Sequence, residues 1–254
     1  MTSVSLRVQS DAKSHEGQVR ELNEDSFCSR ESSGFWAVAD GMGGHENGEW
    51  ASAVLVDKLC SIDIPPEFDA ACDTIADRIY AANEEIFGES RRRGAQIGTT
   101  LVALLVREHE FGVFWVGDSR CYLLRDGRLH QLSRDHSQVQ EMVDRGLLPP
   151  EDVEGHPMGH VLARAVGVRD TLQVDAIRDA VEPGDIFLLC SDGLHGYVSE
   201  ADIHRLLSRA SPDETSKELV QLTLERGAPD NVTVITIMFT EPTILSIKEP
   251  VTVS

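Results

Sequence analysis

Acidic residues stand at five places where apolar runs stop. Asn23-Glu24-Asp25 precedes Ser-Phe-Cys, and Asp40-Gly41 ends Phe-Trp-Ala-Val-Ala. Asp118 follows Phe-Trp-Val-Gly, Asp192-Gly193 follows Phe-Leu-Leu-Cys-Ser, and Asp230-Asn231 opens Val-Thr-Val-Ile-Thr-Ile. One Asp-Gly at a strand end is ordinary turn chemistry. Acids at five such rims of sheets are harder to explain as turns. Brought together, carboxylates repel and raise one another's pKa unless cations lie between them. Hard oxygen donors in that number suit Mg²⁺ or Mn²⁺ better than zinc.

The glycine-rich stretch Val38-Ala-Asp-Gly-Met-Gly-Gly-His-Glu-Asn-Gly-Glu-Trp50 narrows the chemistry further. It is not Gly-x-Gly-x-x-Gly, because position 46 is Glu, and it lacks the Gly-Lys-Ser/Thr of a P-loop. An Asp at the strand end would also oppose a bare phosphate. A glycine after that Asp lets the backbone carbonyl of Gly41 approach an ion closely. The pattern therefore favours a metal-binding turn over a phosphate cradle.

The elements that must position these acids are legible in outline. Helical spacing covers 48–60 and 68–93, the second with Ile75, Ile79, Ala82 and Ile86 on one face and Arg91-Arg-Arg-Gly at its end. The pattern turns to β from 99 to 132, where Asp126-Gly127 separates two strands as a hairpin. Further strands read at 186–190 and 232–239, with helices at 201–208 and 213–226 between them. Helices set among hairpin-linked strands predict an α+β fold with antiparallel sheets, since βαβ alternation is missing. Residues 135–166 fit neither pattern: a helix at 138–145 leads into Leu-Leu-Pro-Pro and a polar stretch with His156 and His160. Long excursions of this kind are often functional.

The formal net charge of −20, from 43 acidic against 23 basic residues, argues against nucleic acid or an anionic membrane as the main partner. An anionic substrate would need arginines, or cations held by the carboxylates, to bind. No apolar run is long enough for a membrane span and the N-terminus lacks a secretory h-region, so a cytoplasmic protein is expected. The five cysteines are odd in number and never spaced as Cys-x-x-Cys, which predicts reduced thiols; Cys121 and Cys190 read as core packing.

Seven segments, in order over almost the whole chain, resemble the metal-dependent protein phosphatases, the type 2C serine/threonine phosphatases, in their short bacterial form. They are Gly17-Gln-Val-Arg-Glu-Leu-Asn-Glu-Asp25, Ala39-Asp-Gly-Met-Gly-Gly-His45, Gly98-Thr-Thr100, Val116-Gly-Asp-Ser-Arg120, Leu162-Ala-Arg-Ala-Val-Gly167, Cys190-Ser-Asp-Gly-Leu194 and Pro229-Asp-Asn-Val232. The resemblance implies one catalytic domain over residues 1–240, a four-layer α-β-β-α sandwich of two antiparallel sheets flanked by helices. The excursion at about 136–166 would be the flap beside the active site, and 241–254 a C-terminal tail that is either loose or a short strand.

Carried over by position, Asp40 would bridge two Mn²⁺ or Mg²⁺ ions. Asp192 and Asp230 would complete one, Glu24 and the Gly41 carbonyl would hold the other, and Asp25 would act through water. Asp118, with Asp192, would help bind a third, weaker ion; a plain turn acid is the competing reading. The implied reaction is direct attack on phosphoserine or phosphothreonine by a hydroxide held between the two ions, with Arg20 clamping phosphate. A surface ion pair with Glu21 or Glu24 is the alternative for Arg20. Relatives from eukaryotes carry a proton-donating His after the bridging Asp-Gly, where this chain has Met42. His45, His156, His160 or water would supply that proton, His45 reading better as packing or capping, and Arg164 reads as an ion pair. Phosphorylated proteins and a cognate serine/threonine kinase are the implied partners of a monomer. The rival functions are a silent regulatory module of the same fold and a phosphoesterase for small molecules.

Overall fold

The computed structural model describes residues 6–241 except 45, 154, 155, 160 and 210. His45, His160 and the tail beyond Glu241 lie outside the described residues. Among those described, the strands are β1 (Arg7–His15), β2 (Asp25–Arg30), β3 (Phe35–Met42), β4 (Gly98–Thr99), β5 (Leu101–Arg107), β6 (Glu110–Val116), β7 (Arg120–Arg125), β8 (Arg128–Gln131), β9 (Asp175–Ala180), β10 (Ile186–Cys190) and β11 (Val232–Thr240). The helices are α1 (Glu46–Cys60), α2 (Phe68–Arg93), α3 (Gln138–Asp144), α4 (Asp192–His195), α5 (Glu200–Leu207) and α6 (Pro212–Glu225).

One sheet runs β1-β11-β10-β7-β8; the other runs β2-β3-β5-β6-β9, with the short β4 paired to β3. Every pairing is antiparallel. Side chains alternate across a strand, and here both faces of the central strands are buried. In β3, Phe35, Ala37 and Ala39 pack toward α1 and α2, while Trp36 and Val38 enter the layer between the sheets. In β10, Phe187 and Leu189 enter that middle layer, and Leu188 and Cys190 pack toward α5 and α6. Three apolar layers thus lie between four layers of backbone. This is the α-β-β-α sandwich with antiparallel sheets that the resemblance implies.

Local signals hold in detail. The α2 helix ends at Gly94 in the left-handed region, with Arg91, Arg92 and Arg93 in its last turn, as capping requires. The Asp126-Gly127 turn joins β7 to β8, both residues at positive φ. Cys121 and Cys190 are fully buried. Burial pushes the Cys190 thiol up to about 12, so it is inert near neutral pH. Among the described residues, no helix is long and apolar enough to cross a membrane.

The reduced state expected for all five cysteines is corrected: Cys28 and Cys60 form a disulfide, Cα atoms 5.8 Å apart. They lie 32 residues apart in sequence, and only the packing of α1 on β2 brings them together. The bond staples the last residue of α1 to the middle of β2. Closing a loop of that length is worth about 2–4 kcal/mol. Cys28→Ser is therefore expected to lower the denaturant midpoint of the oxidised protein to that of the reduced wild type. Equal midpoints for wild type with and without a dithiol reductant would show that the bond contributes nothing.

Candidate metal centre

The strand-end acids gather at one end of the sandwich. Antiparallel pairing sets Asp25 of β2 opposite Asp40 of β3, and directly opposed residues share a face of the sheet. Glu24, one residue earlier, falls on the other side. Its Oε1 lies 2.2 Å from where a Cβ on Gly48 of α1 would sit. Asp25 instead turns between the sheets, where its Oδ2 accepts from Ser191 Oγ at 2.8 Å. Its Oδ1 is buried with no hydrogen-bond partner.

Gly41 is required by packing as well as by its carbonyl. A Cβ there would lie 2.0 Å from the Gly48 oxygen and 2.8 Å from the Glu24 oxygen. Its N–H donates to Glu24 O at 3.1 Å, so three backbone segments meet at this point. The helix also starts two residues before the expected Gly48, at Glu46. Gly48 thus sits inside the first turn, where its missing side chain leaves room for the Glu24 carboxylate.

The Asp40 backbone is gripped by the Gly98-Thr-Thr segment, a role the motif alone did not disclose. Thr100 N–H and Thr99 Oγ1 both donate to Asp40 O, at 2.8 and 2.9 Å. Asp40 N–H donates to Thr100 Oγ1 at 3.0 Å. Asn231 does similar work for the loop before β2. Its Oδ1 accepts from Glu24 N–H at 2.8 Å, and its Nδ2 donates to Glu16 O and Leu22 O, each at 2.9 Å. The neighbouring Asp230 Oδ2 accepts from Arg20 Nη2 at 2.8 Å. Arg20 is thus paired, but with Asp230 rather than Glu21 or Glu24.

A cleft of about 970 Å³ opens over this arrangement, and Arg20, Glu24, Asp40, Gly41, Asp118, Asp192 and Asp230 all line it. Of the metal-site residues expected from sequence, Asp25 alone does not line it. That placement suits action through a water. Asp118, 6% exposed, follows the Gly117 turn after β6 and is buried more deeply than a simple turn acid. Asp192 opens α4, and Gly193 presses so closely on Asn231 that a Cβ would lie 1.8 Å from its oxygen. Met42 and Arg164 also line the cleft. Arg164 makes the expected ion pair, with Asp175 at 3.0 Å. His156 does not line it; its Nδ1 accepts from Met158 N–H at 3.2 Å.

Crowding of like charge is the dominant electrostatic fact. Burial, then the charges of Asp25, Asp192, Asp118 and Asp230, hold the Asp40 carboxyl well above its ordinary range. Burial, followed by Asp192 and Asp135, does the same to Asp118. Asp25 is pushed up to about 7 by burial and by Asp192 and Asp230, against the neighbouring Thr233 hydroxyl and the hydrogen bond from Ser191. Among the described residues, no three His, Cys, Asp or Glu side chains stand close enough together to hold a metal ion as they are placed. The acids line an open cleft instead. Oxygen donors that repel one another, together with the bare Asp25 Oδ1, fit hard divalent cations, which would neutralise the charge and take the unused lone pairs.

Comparison with known proteins identifies the family and the fold. The family profile "Protein phosphatase 2C" matches residues 6–142, more than half of the chain. The chain belongs to the protein phosphatase 2C family. The serine/threonine protein phosphatase PstP of Mycobacterium tuberculosis is 36% identical over 237 residues, 92% of this chain and 46% of that protein. The serine/threonine phosphatase stp of Listeria monocytogenes is 35% identical over 231 residues, 86% of this chain and 91% of that protein. The chain thus spans about half the length of the mycobacterial relative and nearly all of the listerial one. Among solved structures, PppA of Pseudomonas aeruginosa, described as a key regulatory component of T6SS, superposes with a TM-score of 0.86 at 38% identity, over 92% of this chain and 99% of that one. The catalytic domain of PstP in complex with two manganese ions superposes with a TM-score of 0.82 at 34% identity, over 93% and 100%.

Proposed function

We propose that this phosphatase 2C-family chain is a Mn²⁺- or Mg²⁺-dependent protein serine/threonine phosphatase. Residues 1–240 would form one catalytic domain and 136–166 its flap. One observation carries the reading: five separated segments bring Glu24, Asp40, Asp118, Asp192 and Asp230 to one cleft wall, with Arg20 beside them. A silent binding module would have no need to keep charges that repel one another in this way.

In this reading Asp40, Asp192, Asp230, Glu24 and the Gly41 carbonyl hold two ions, Asp118 with Asp192 attracts a weaker third, and Asp25 acts through water. Ions held there would supply hydroxide at neutral pH for direct hydrolysis and would neutralise charge on the phosphoryl oxygens. The chain's own residues do the rest. Asp40 is held by Thr99 and Thr100 so that its carboxylate faces the cleft. Arg20, on the loop tied down by Asn231, presents a planar guanidinium to the phosphate oxygens. Its bond to Asp230 orients it before substrate arrives. With Met42 after Gly41 and His156 away from the cleft, His45, His160 or water would supply the proton to the leaving alkoxide. The substrates would be phosphorylated proteins, met by a monomer that opposes a serine/threonine kinase in the cytoplasm. The kinase pairing rests on analogy with bacterial relatives.

Hydrolysis of a phosphothreonine peptide with Mn²⁺, set beside a small aryl phosphate, tests the assignment. Metal-dependent turnover of the peptide at the higher kcat/KM supports it. Turnover of the small phosphate alone would favour the phosphoesterase reading, and no turnover of either the silent module. Arg20→Ala is expected to raise KM for the peptide more than it lowers kcat. An unchanged KM would remove Arg20 from substrate binding.

A further inference from the structure

Asp118 sits in the turn Gly117-Asp-Ser-Arg120, and the next dipeptide to meet that turn is Asp135-His136, at the root of the excursion. The two contacts straddle the acid. On one side, His136 N–H donates to Gly117 O at 2.8 Å, while Gly117 N–H donates to His136 Nδ1 at 3.1 Å. On the other, Arg120 donates to Asp135 through Nε and Nη2, at 2.9 and 2.7 Å. Between these anchors, Asp118 O is met by His195 Nε2 at 3.0 Å, and Ser119 Oγ lies 2.7 Å from Thr100 Oγ1. Thr100 is the residue that accepts from Asp40 N–H.

The turn needs holding. Gly117 has φ +105°, and a Cβ there would lie 2.7 Å from Thr100 Cγ2. Only glycine fits, and glycine is the residue with most freedom to lose. His136 is well made for an anchor. Its ring stacks on Trp115, centroids 6.3 Å apart, and its Nε2 lies 3.0 Å from Asp175 Oδ2. Because Gly117 donates to Nδ1, the ring proton belongs on Nε2, where it is given to Asp175. This neutral tautomer satisfies Gly117 and Asp175; Arg164 Nη1, 3.3 Å from the same Nε2, donates instead to Asp175 Oδ1 at 3.0 Å. At 8% exposure the ring does not line the cleft, so it touches neither ion nor substrate.

His136 also starts the neck of the excursion. Ala163 N–H donates to His136 O, and Gln138 N–H to Val161 O, both at 2.8 Å. The segment so carried, Val161 to Ala165, forms another wall of the cleft.

We infer that His136, with Asp135, is a positioning residue: it fixes the Gly117–Arg120 turn so that the Asp118 carboxylate faces the cleft ready for a divalent ion. The inference rests on the metal-dependent reading above. The discriminating experiment is a calorimetric Mn²⁺ titration of the metal-free protein, comparing wild type with Asp118→Asn, His136→Phe and the double variant. His136→Phe keeps the aromatic ring on Trp115 and removes the acceptor for Gly117. It is expected to weaken the Mn²⁺ binding that Asp118→Asn weakens by about 10–100-fold, the usual cost of losing an outer partner. The double variant is expected to lose no more than Asp118→Asn alone.

His136→Asn, whose Oδ1 can replace Nδ1, is expected to restore the wild-type isotherm, and His136→Gln to fall short. That pair decides the matter if His136→Phe fails to fold. Additive losses, or a His136→Phe isotherm equal to wild type, overturn the inference. So does an Asp118→Asn isotherm equal to wild type, although Mn²⁺ binding abolished by Asp40→Asn would then leave the metal-dependent reading standing. A wild type that binds no Mn²⁺ overturns both.

Discussion

Asp40→Asn is expected to lower kcat/KM for a phosphothreonine peptide by more than the roughly 10–100-fold that loss of an outer-shell partner costs, at saturating Mn²⁺. The expectation follows from position. Asp40 stands at the centre of the acid cluster: its carboxyl feels Asp25, Asp192, Asp118 and Asp230 at once. Its backbone is fixed by both Thr99 and Thr100, so the amide of the variant would occupy the same place with one donor oxygen fewer and no charge. Asp192→Asn is expected to behave similarly. The loss should fall mainly on kcat, because Arg20, the proposed phosphate contact, is untouched. A variant with wild-type kcat/KM would detach Asp40 from the reaction.

The second large effect concerns stability and has the opposite sign. With no ion bound, the folded protein forces acids together, so the metal-free form should gain stability wherever those acids are protonated. The folded pKa of Asp25 is raised to about 7 against an ordinary carboxylate near 4. The folded state then binds more protons than the unfolded state between those values. Its contribution is full below about pH 4 and is lost as pH rises toward 7. Asp40 and Asp118 act in the same direction.

Metal-free protein is therefore expected to be more stable near pH 5 than near pH 8. Mn²⁺ should narrow that difference by stabilising the deprotonated cluster, by about 2.7 kcal/mol at one hundred times its dissociation constant. Asp25→Asn and Asp40→Asn should each raise the melting temperature of the metal-free protein at pH 8 while shrinking the Mn²⁺-induced rise. Thermal melts across pH, with chelator or Mn²⁺, read both effects. A metal-free melting temperature that climbs from pH 5 to pH 8 would contradict the crowding.

Much of this was legible because central strands and long helices announce themselves. The runs that became β5, β6, β7, β10 and β11 are apolar on both faces, since both faces are buried. The α2 helix carries its stripe and cap in plain view. The strands β1 and β9 were not legible. Each lies at the edge of a sheet, and sequences such as Asp-Ala-Ile-Arg-Asp-Ala have too little apolar alternation to signal pairing.

The acids of the cleft were readable because each stands at one end of an apolar run, and the order of motifs sharpened them into roles. Their supports were hidden. Thr100, Asn231 and His136 act through hydrogen bonds to backbone far away in sequence, and nothing local marks such a bond. The Cys28–Cys60 bond was missed for the same reason, since the chain must fold before those positions become neighbours. Gly41 was singled out for its carbonyl, whereas its close contact with Gly48 could be found only once α1 was in place.

The account stands most directly on where divalent ions bind. Crystals grown in Mn²⁺ and measured at the manganese absorption edge would locate them without reference to activity. The expected result is anomalous peaks in the cleft, one among Asp40, Asp192 and Asp230, one beside Glu24, Asp40 and the Gly41 carbonyl, and a weaker one near Asp118. Peaks confined to other parts of the surface, or none at millimolar Mn²⁺, would contradict the central claim that these strand-end acids form a metal centre.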